Sequence, residues 1–354
     1  MGLHQKSSDH AGRLERGVNT EQRVDHLARH PVGHSGCAGV QISWDETNQK
    51  DWDGLIGQAP FHAYQQSYPW GDALKEVGVR VYRAKIMLDG CPIGVAQIQL
   101  KKILGFLTVA LVLRGPVWCA GDVSAEIYRS AIDKISWSLP VHGLHGLIVT
   151  PESNDGEALK QAGFKRIMGG HHTVMIDLDA DDEALRTQLN GKWRNRLKAA
   201  EKSAIIVSPL GRRPEKYAWL LEKEEHQQRA AKYHALPSIM VHNYQARTAH
   251  EGVICFSAKS EATRVGGMLF LVHGDCASYH IGWASDEGKS DNVHNLLLWR
   301  SMLALRRTGI KRLDLGGVNT DLNPGIARFK IGTGGEVLSY PGTWSRGLRW
   351  KRQG

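Results

Sequence analysis

The sequence lacks the cysteine pattern of a disulfide-rich or zinc-binding protein. It contains five cysteines, and no two of them form a C-x-x-C pair. An odd number without paired spacing disfavours both a disulfide framework and a structural zinc site, and it is typical of a reducing compartment. The cysteines therefore predict a cytoplasmic protein without a bound metal ion.

Long apolar runs are missing as well. No run reaches the roughly 18 apolar residues that a membrane-spanning helix needs, and the first residues carry no apolar signal core. The most apolar stretch, residues 103–113, contains Gly105 and Thr108 and is typical of a buried strand. We therefore expect no integral membrane segment and no secretion.

Several catalytic motifs are absent. The chain has no G-x-G-x-x-G after a strand, no Walker loop, no G-x-S-x-G elbow and no H-E-x-x-H pair. Dehydrogenase, nucleotide hydrolase, serine hydrolase and zinc hydrolase chemistry all lose support from these absences. No cofactor is expected.

The length and the charge of the chain are informative. With 354 residues, the chain fits two domains of about 150 residues and a tail. Residues 1–38 are polar, rich in His, Arg and Gly, and are predicted to be disordered. The net charge of +9 favours RNA, nucleotide phosphates or an anionic membrane surface as partners, although a merely basic protein has the same balance.

From residue 40 onward, the pattern predicts the same order of elements twice. The first half has predicted helices over 51–57, 70–77, 123–138 and 155–162, and strands over 79–88, 92–101, 104–117, 146–150 and 172–178. The second half has predicted helices over 181–203, 214–233 and 293–307, and strands over 253–257, 263–272, 276–283, 311–315 and 334–338. Each half thus contains a meander of strands, a helix and a further strand. This order predicts two α/β (α+β) domains, 39–178 and 179–345, followed by a basic tail at 346–354.

A basic cluster occupies residues 192–202. Its predicted substrate-binding cations are Lys192, Arg194 and Lys198, and Arg194 and Lys198 share one helix face. Such a face can bind the phosphates of an RNA or nucleotide. It is equally typical of a solvated helix surface.

The last third of the chain carries a specific block of residues. A strand ends at Gly316 and Gly317, and Phe329 and Lys330 precede a further glycine-rich turn. Glycines allow a ligand to approach the backbone closely, and a lysine can meet developing negative charge. An ordinary surface lysine before a hairpin gives the same pattern.

Five motifs, in this order, resemble those of the FemA/FemB-like (FemAB) aminoacyltransferase family. They are Gln66 and Ser67 with Trp70 and Gly71; Arg114, Gly115 and Pro116; Lys192, Arg194, Leu197, Lys198, Ala199, Glu201 and Lys202; Leu296, Leu297, Leu298 and Trp299 with Gly309; and Asp314, Leu315, Gly316 and Gly317 with Phe329, Lys330 and Gly332. The resemblance covers about residues 40–345.

This resemblance implies a fold, an activity and site residues. The fold is a tandem GNAT (acyl-CoA N-acyltransferase-like) fold, each domain having a mixed, largely antiparallel sheet flanked by helices. The activity is transfer of an amino acid from aminoacyl-tRNA to an amine of a peptidoglycan precursor or another acceptor. Lys330 is implied as the catalytic residue beside Phe329. The substrate-binding residues implied elsewhere are Trp70, Lys75, Arg229 and Tyr244.

The pyrophosphate-binding loop of acyl-CoA enzymes does not match this sequence. Its Q/R-x-x-G-x-G/A pattern is absent from residues 119–122 and 285–292, and the second segment contains Asp286, Glu287 and Asp291. The donor is therefore predicted to be tRNA-linked. Two other functions stay open: an N-acyltransferase using acyl-CoA or an acyl carrier, and a non-catalytic RNA-binding or envelope scaffold.

Overall fold

The structure, a computed structural model, describes residues 39–103, 105–119, 121, 123–152, 156–231, 236–320 and 323–351. The predicted disordered tail at residues 1–38 lies outside the described residues. From residue 39 onward, the chain forms one compact unit that contains two sheets.

The first sheet is built mainly from the first half of the chain. Its strands lie in the order β1 (Gln41–Trp44), β2 (Arg80–Leu88), β3 (Cys91–Ile103), β4 (Leu107–Leu113), β6 (Gly143–Thr150), β15 (Thr343–Lys351) and β7 (Lys165–Met168), with β5 (Val117–Trp118) paired to β3. Its helices are α1 (Gln49–Ile56), α2 (Tyr68–Glu76), α3 (Ala125–Ser138) and α4 (Gly156–Gln161). The β2–β3 turn forms at Asp89 and Gly90, which both have positive φ, as a two-residue hairpin turn requires.

The second sheet has seven strands. They lie in the order β14 (Glu336–Tyr340), β8 (His171–Asp177), β13 (Arg312–Val318), β12 (Cys276–Ala284), β11 (Thr263–His273), β10 (Val253–Ser260) and β9 (Ile205–Pro209). Its helices are α5 (Asp182–Gln188), α6 (Gly191–Glu201), α7 (Pro214–Ala231), α8 (Ser238–Arg247), α9 (Asp286–Ser290), α10 (Val293–Arg307) and α11 (Pro324–Ile331). The predicted fold class is confirmed, because both sheets are mixed, largely antiparallel and flanked by helices.

Helix α10 shows how the apolar pattern forms the core. Leu296, Leu297 and Leu298 are all buried, together with Met302 and Leu305. These side chains pack with residues from the second sheet in one hydrophobic cluster. Burial of this kind stabilises a helix more than its intrinsic propensity does. The predicted bounds of this helix, 293–307, agree with the structure.

One predicted helix differs from the structure. The helix predicted over 181–203 is divided into α5 and α6, because Leu189 and Asn190 leave the helical conformation. The Asn190 side chain accepts a hydrogen bond from the Lys192 N–H at 3.1 Å and so starts the second helix. Helices α8, α9 and α11 were not predicted.

The two sheets also exchange strands across the predicted division at residue 178. Strand β8, predicted as the last strand of the first half, pairs with β13 and β14 in the second sheet. Residues 346–351, which were predicted as a basic tail, continue β15 and pair with β6 of the first sheet. Buried Trp344 anchors that strand in the first core.

Candidate active site

The second sheet opens between two parallel strands. Strands β12 and β13 pair only through residues 276–278 and 312–314, and both strands continue beyond this short ladder. In the first sheet, parallel strands β4 and β6 stay paired from Thr108 with His145 to Leu113 with Thr150. The gap after Ser278 leaves strand edges whose backbone groups can meet a bound chain.

Lys330, at the end of α11, reaches into this gap. Its Nζ donates a hydrogen bond to the Gly317 carbonyl of β13 at 2.9 Å, and it lies 5.7 Å from the Tyr279 ring centroid on β12. Only 8% of the residue is exposed. Burial lowers the pKa of Lys330 to about 8, and the Asp314 carboxylate opposes that shift. The amine is therefore a cation that is held in a low-dielectric gap.

Asp314 shapes the turn that presents Gly317 to Lys330. Its Oδ1 accepts a hydrogen bond from the Gly316 N–H at 2.7 Å and another from the Thr173 hydroxyl. Gly316 has φ of 74°, which a residue with a side chain rarely adopts. The pairing of β13 with β8 shifts register between Asp314 and Gly317 at this point. The sequence Asp-Leu-Gly-Gly thus forms a strand irregularity beside the gap.

Arg114 connects the end of β4 to this turn. Its Nη1 donates a hydrogen bond to Asp314 Oδ2 at 2.7 Å, and its Nε pairs with Glu152. Burial lowers the pKa of Arg114, but the carboxylates of Glu152 and Asp314 outweigh burial and raise it above its ordinary value. Burial raises the pKa of Glu152 to about 7, against the opposing effect of Arg114. Both sheets therefore contribute charged groups near Lys330.

Helix α6 contacts α11, the helix that carries Lys330. The Trp193 indole donates a hydrogen bond to the Phe329 carbonyl at 3.0 Å, and the two rings stack with centroids 6.0 Å apart. The Asn190 N–H also bonds the Gly332 carbonyl at 2.9 Å. Predicted binding residues Lys192 and Lys198 are exposed on α6, and Arg194 is partly buried. The structure thus brings the basic cluster, Phe329 and Lys330 into one region.

The remaining predicted site residues lie on α2, α7 and α8. Trp70 and Tyr244 lie in a core cluster between α2 and α8, with ring centroids 5.9 Å apart. Tyr244 is fully buried, and its hydroxyl donates to the Val272 carbonyl at 2.7 Å. These contacts are those of packed core residues. Lys75 is about half exposed beside Asp72, and Arg229 is exposed near the end of α7.

Several residues near the site were not singled out from the sequence. Arg114 and Asp314 served only as parts of motifs, although they contact each other across 200 positions of the chain. Glu152, Thr173 and Trp193 carried no motif signal that indicated a role. A contact between such distant positions depends on how the two sheets pack.

The segment before α10 forms the short helix α9. The Ser285 side chain caps it by accepting a hydrogen bond from the Gly288 N–H at 3.1 Å. Exposed Asp286 forms an ion pair with Lys289 at 2.8 Å. This arrangement differs from an open glycine loop whose N–H groups surround a pyrophosphate.

Known families and solved structures show the fold. Residues 187–330 match the acetyltransferase (GNAT) domain family. The crystal structure of FemX aligns with a TM-score of 0.71 and 16% identity, covering 86% of this chain and 96% of that one. No curated protein sequence matches.

Two further structures have the same fold. A tandem GNAT protein from the clavulanic acid biosynthesis pathway aligns with a TM-score of 0.51 and 13% identity, covering 87% of this chain and 98% of that one. The C-terminal domain of a candidate lysylphosphatidylglycerol synthetase from Agrobacterium fabrum aligns with a TM-score of 0.51 and 10% identity, covering 82% and 91%.

These matches confirm the resemblance that the motifs predicted. The FemX structure extends over both sheets of this chain, and the matched GNAT domain contains the gap, α6 and α11 as far as Lys330. In the described residues, no helix is both long and apolar enough to cross a membrane. The chain has a tandem GNAT fold that resembles that of FemX.

Proposed function

We propose that this protein transfers an amino acid from aminoacyl-tRNA to the amine of an acceptor. The observation that carries the proposal is the position of Lys330, whose amine spans the gap between β12 and β13. A cation held at this point can stabilise the oxygen of an ester carbonyl when an amine attacks it.

The reaction needs no nucleophilic side chain. The acceptor nitrogen forms a bond to the ester carbon, and the bond from that carbon to the tRNA ribose oxygen breaks. The proton lost by the acceptor nitrogen is balanced by the proton that the ribose hydroxyl gains. Negative charge is greatest on the carbonyl oxygen between these events, so a cation there lowers the barrier by stabilising the transition state.

Helix α6 supports an RNA-linked donor. Lys192 and Lys198 are exposed there, and Trp193 ties their helix to Phe329 beside the lysine. Cations in this position can hold the phosphates of a tRNA acceptor end while the ester enters the gap. The capped helix α9 in place of an open loop gives less support to CoA.

The acceptor is proposed to be a nucleotide-linked or lipid-linked precursor, such as a peptidoglycan precursor. Resemblance to FemX supports this choice. The name of the Agrobacterium fabrum protein describes an aminoacyl group joined to a lipid. Exposed Lys75 and Arg229 are candidates for the acceptor's phosphates. We place the reaction in the cytoplasm, where aminoacyl-tRNA is available.

One binding comparison tests the donor. A non-hydrolysable aminoacyl-tRNA analogue and acetyl-CoA are titrated into the full chain by calorimetry, at several salt concentrations. We expect the tRNA analogue to bind, with an affinity that falls steeply as salt rises. Tight acetyl-CoA binding without tRNA binding would establish the acyl-CoA alternative. If neither ligand binds, the result would favour the alternative of a non-catalytic scaffold.

A further inference from the structure

One end of the first sheet carries exposed apolar side chains. At the turn between β3 and β4, Phe106 is 67% exposed and Ile103 is 38% exposed. Trp137, which is 65% exposed, lies in the last turn of α3, shortly before β6 begins at the same end. Phe106 thus keeps most of its surface in solvent and is not part of the core of the first sheet.

Cations accompany these apolar residues. Lys101 and Lys102 directly precede Ile103, and both are exposed. Neither forms an ion pair with an acidic residue in the part of the chain that the structure describes. These lysines therefore leave uncompensated positive charge beside an apolar tip.

Strand register adds further basic positions from the other end of the chain. Lys102 lies opposite Thr108, Thr108 opposite His145, and His145 opposite Arg349. Lys351 lies opposite Gly143 in the same ladder. The last strand thus places Arg349 and Lys351 at the sheet end that carries the apolar tip.

We propose that this end of the first sheet, which we term the basic tip, binds the surface of an anionic phospholipid bilayer. Lysines gain favourable energy near anionic headgroups, while adjacent aromatic and aliphatic side chains enter the interface. Ile103 adds an aliphatic side chain that can enter a lipid interface but offers no face on which an RNA base could stack. A lipid surface therefore matches both the charge and the apolar tip.

The basic tip is separate from the proposed active site. It lies at the amino end of β4, whereas Arg114 follows the carboxyl end and contacts Asp314 beside Lys330. Seven strand residues separate the two ends, which corresponds to about 23 Å. Changes at the basic tip are thus expected to leave transfer in solution unaffected, so membrane binding and catalysis can be tested independently.

Vesicle co-sedimentation of the full chain tests the proposal. The vesicles contain phosphatidylcholine alone or an equal mixture with phosphatidylglycerol. We expect binding to the mixture only, and a loss of about 30-fold in partitioning for K101Q/K102Q, from about 1 kcal/mol for each lysine. Replacing Ile103→Ser and Phe106→Ser together is expected to weaken binding to the mixture as well.

Matched controls come from the rest of the chain. K50Q/K259Q removes two exposed lysines elsewhere, and Ile206→Ser removes a side chain that is 68% exposed in the second sheet. Both control variants should bind vesicles like the unaltered protein. The proposal would be overturned if the tip variants bound the anionic vesicles as well as the unaltered protein does. It would also be overturned if the unaltered protein did not bind these vesicles. Loss of tRNA affinity with vesicle binding unchanged would assign the tip to RNA instead.

Discussion

Arg114 and Asp314 join the two sheets through a hydrogen-bonded ion pair, with 2.7 Å between Nη1 and Oδ2. Asp314 is 1% exposed, and its other oxygen holds the Gly316 N–H. The same carboxylate therefore binds the first sheet and shapes the turn that presents Gly317 to Lys330. The side chain of Asp314 therefore contributes both to the packing of the two sheets and to the placement of the Lys330 amine.

The Asp314→Asn variant is expected to be strongly destabilised. The substitution removes the negative charge but leaves the Arg114 guanidinium largely buried. Loss of one partner of a buried pair typically costs about 3–5 kcal/mol. Chemical denaturation monitored by circular dichroism would measure the change in the free energy of unfolding.

Asp177→Asn is the matched control for that variant. Asp177 pairs with Arg312 at 2.5 Å, but the side chains are 52% and 35% exposed. Exposed pairs contribute about 0–1 kcal/mol, so little destabilisation is expected. If both variants lost the same free energy of unfolding, the buried pair of Asp314 would contribute no more than the exposed pair of Asp177.

The Lys330→Met variant is expected to fold but to turn over slowly. Methionine keeps the length of the side chain and removes the charge from the gap. Loss of one transition-state donor typically lowers kcat about 100- to 1000-fold. The assay uses saturating aminoacyl-tRNA and a nucleotide-linked muropeptide as acceptor, with exposed Lys50→Met as the control. A raised KM with unchanged kcat would show that Lys330 only binds the donor.

Acid should destabilise the protein through a buried histidine pair. His62 and His273 have ring centroids 5.3 Å apart, and they are 1% and 3% exposed. Burial lowers the pKa of His62 to about 4, and burial with the neighbouring His62 lowers the pKa of His273. In the unfolded chain these side chains titrate near ~6.5. At pH values between the folded and unfolded pKa, the unfolded state therefore binds more protons than the folded state does. The free energy of unfolding falls as the pH drops from about 6.5 towards 4.

The His62→Phe variant should lose less stability on acidification. Between pH 6.5 and 4, we expect the free energy of unfolding of this variant to fall by about 2–3 kcal/mol less than that of the unaltered protein. The raised pKa of Glu152 makes an opposite contribution, with stability lost as pH rises towards 7, but both proteins share it. Exposed His226→Phe serves as the control. Parallel stability curves for the unaltered protein and His62→Phe would exclude this role for His62.

Removing cations from α6 should change the salt dependence of tRNA binding. In K192Q/K198Q, each lost phosphate contact lowers the slope of log affinity against log salt by about 1. The K50Q/K259Q variant removes the same charge from other exposed positions and should keep the full slope. Filter binding at several salt concentrations gives both slopes. An unchanged slope in K192Q/K198Q would place the RNA elsewhere.

The sequence alone determined most of the helices and the fold class. Helix α10 and strands β2, β3, β11 and β12 were predicted close to their observed bounds. Their periodic apolar patterns arise from local geometry, so residues near in sequence carry the signal. The motif order also predicted the resemblance to the FemAB family, and it directed attention to Lys330.

Tertiary structure alone decided which strands share a sheet and which charges meet. Strand β15 lies in the first sheet although it follows the strands of the second sheet in the sequence, because long-range backbone pairing depends on register and packing. For the same reason, the contacts of Arg114 with Asp314 and of Trp193 with Phe329 had no local signal. The burial of Trp70 and Tyr244 is also a tertiary property, since an aromatic side chain suits a core and a binding groove equally well.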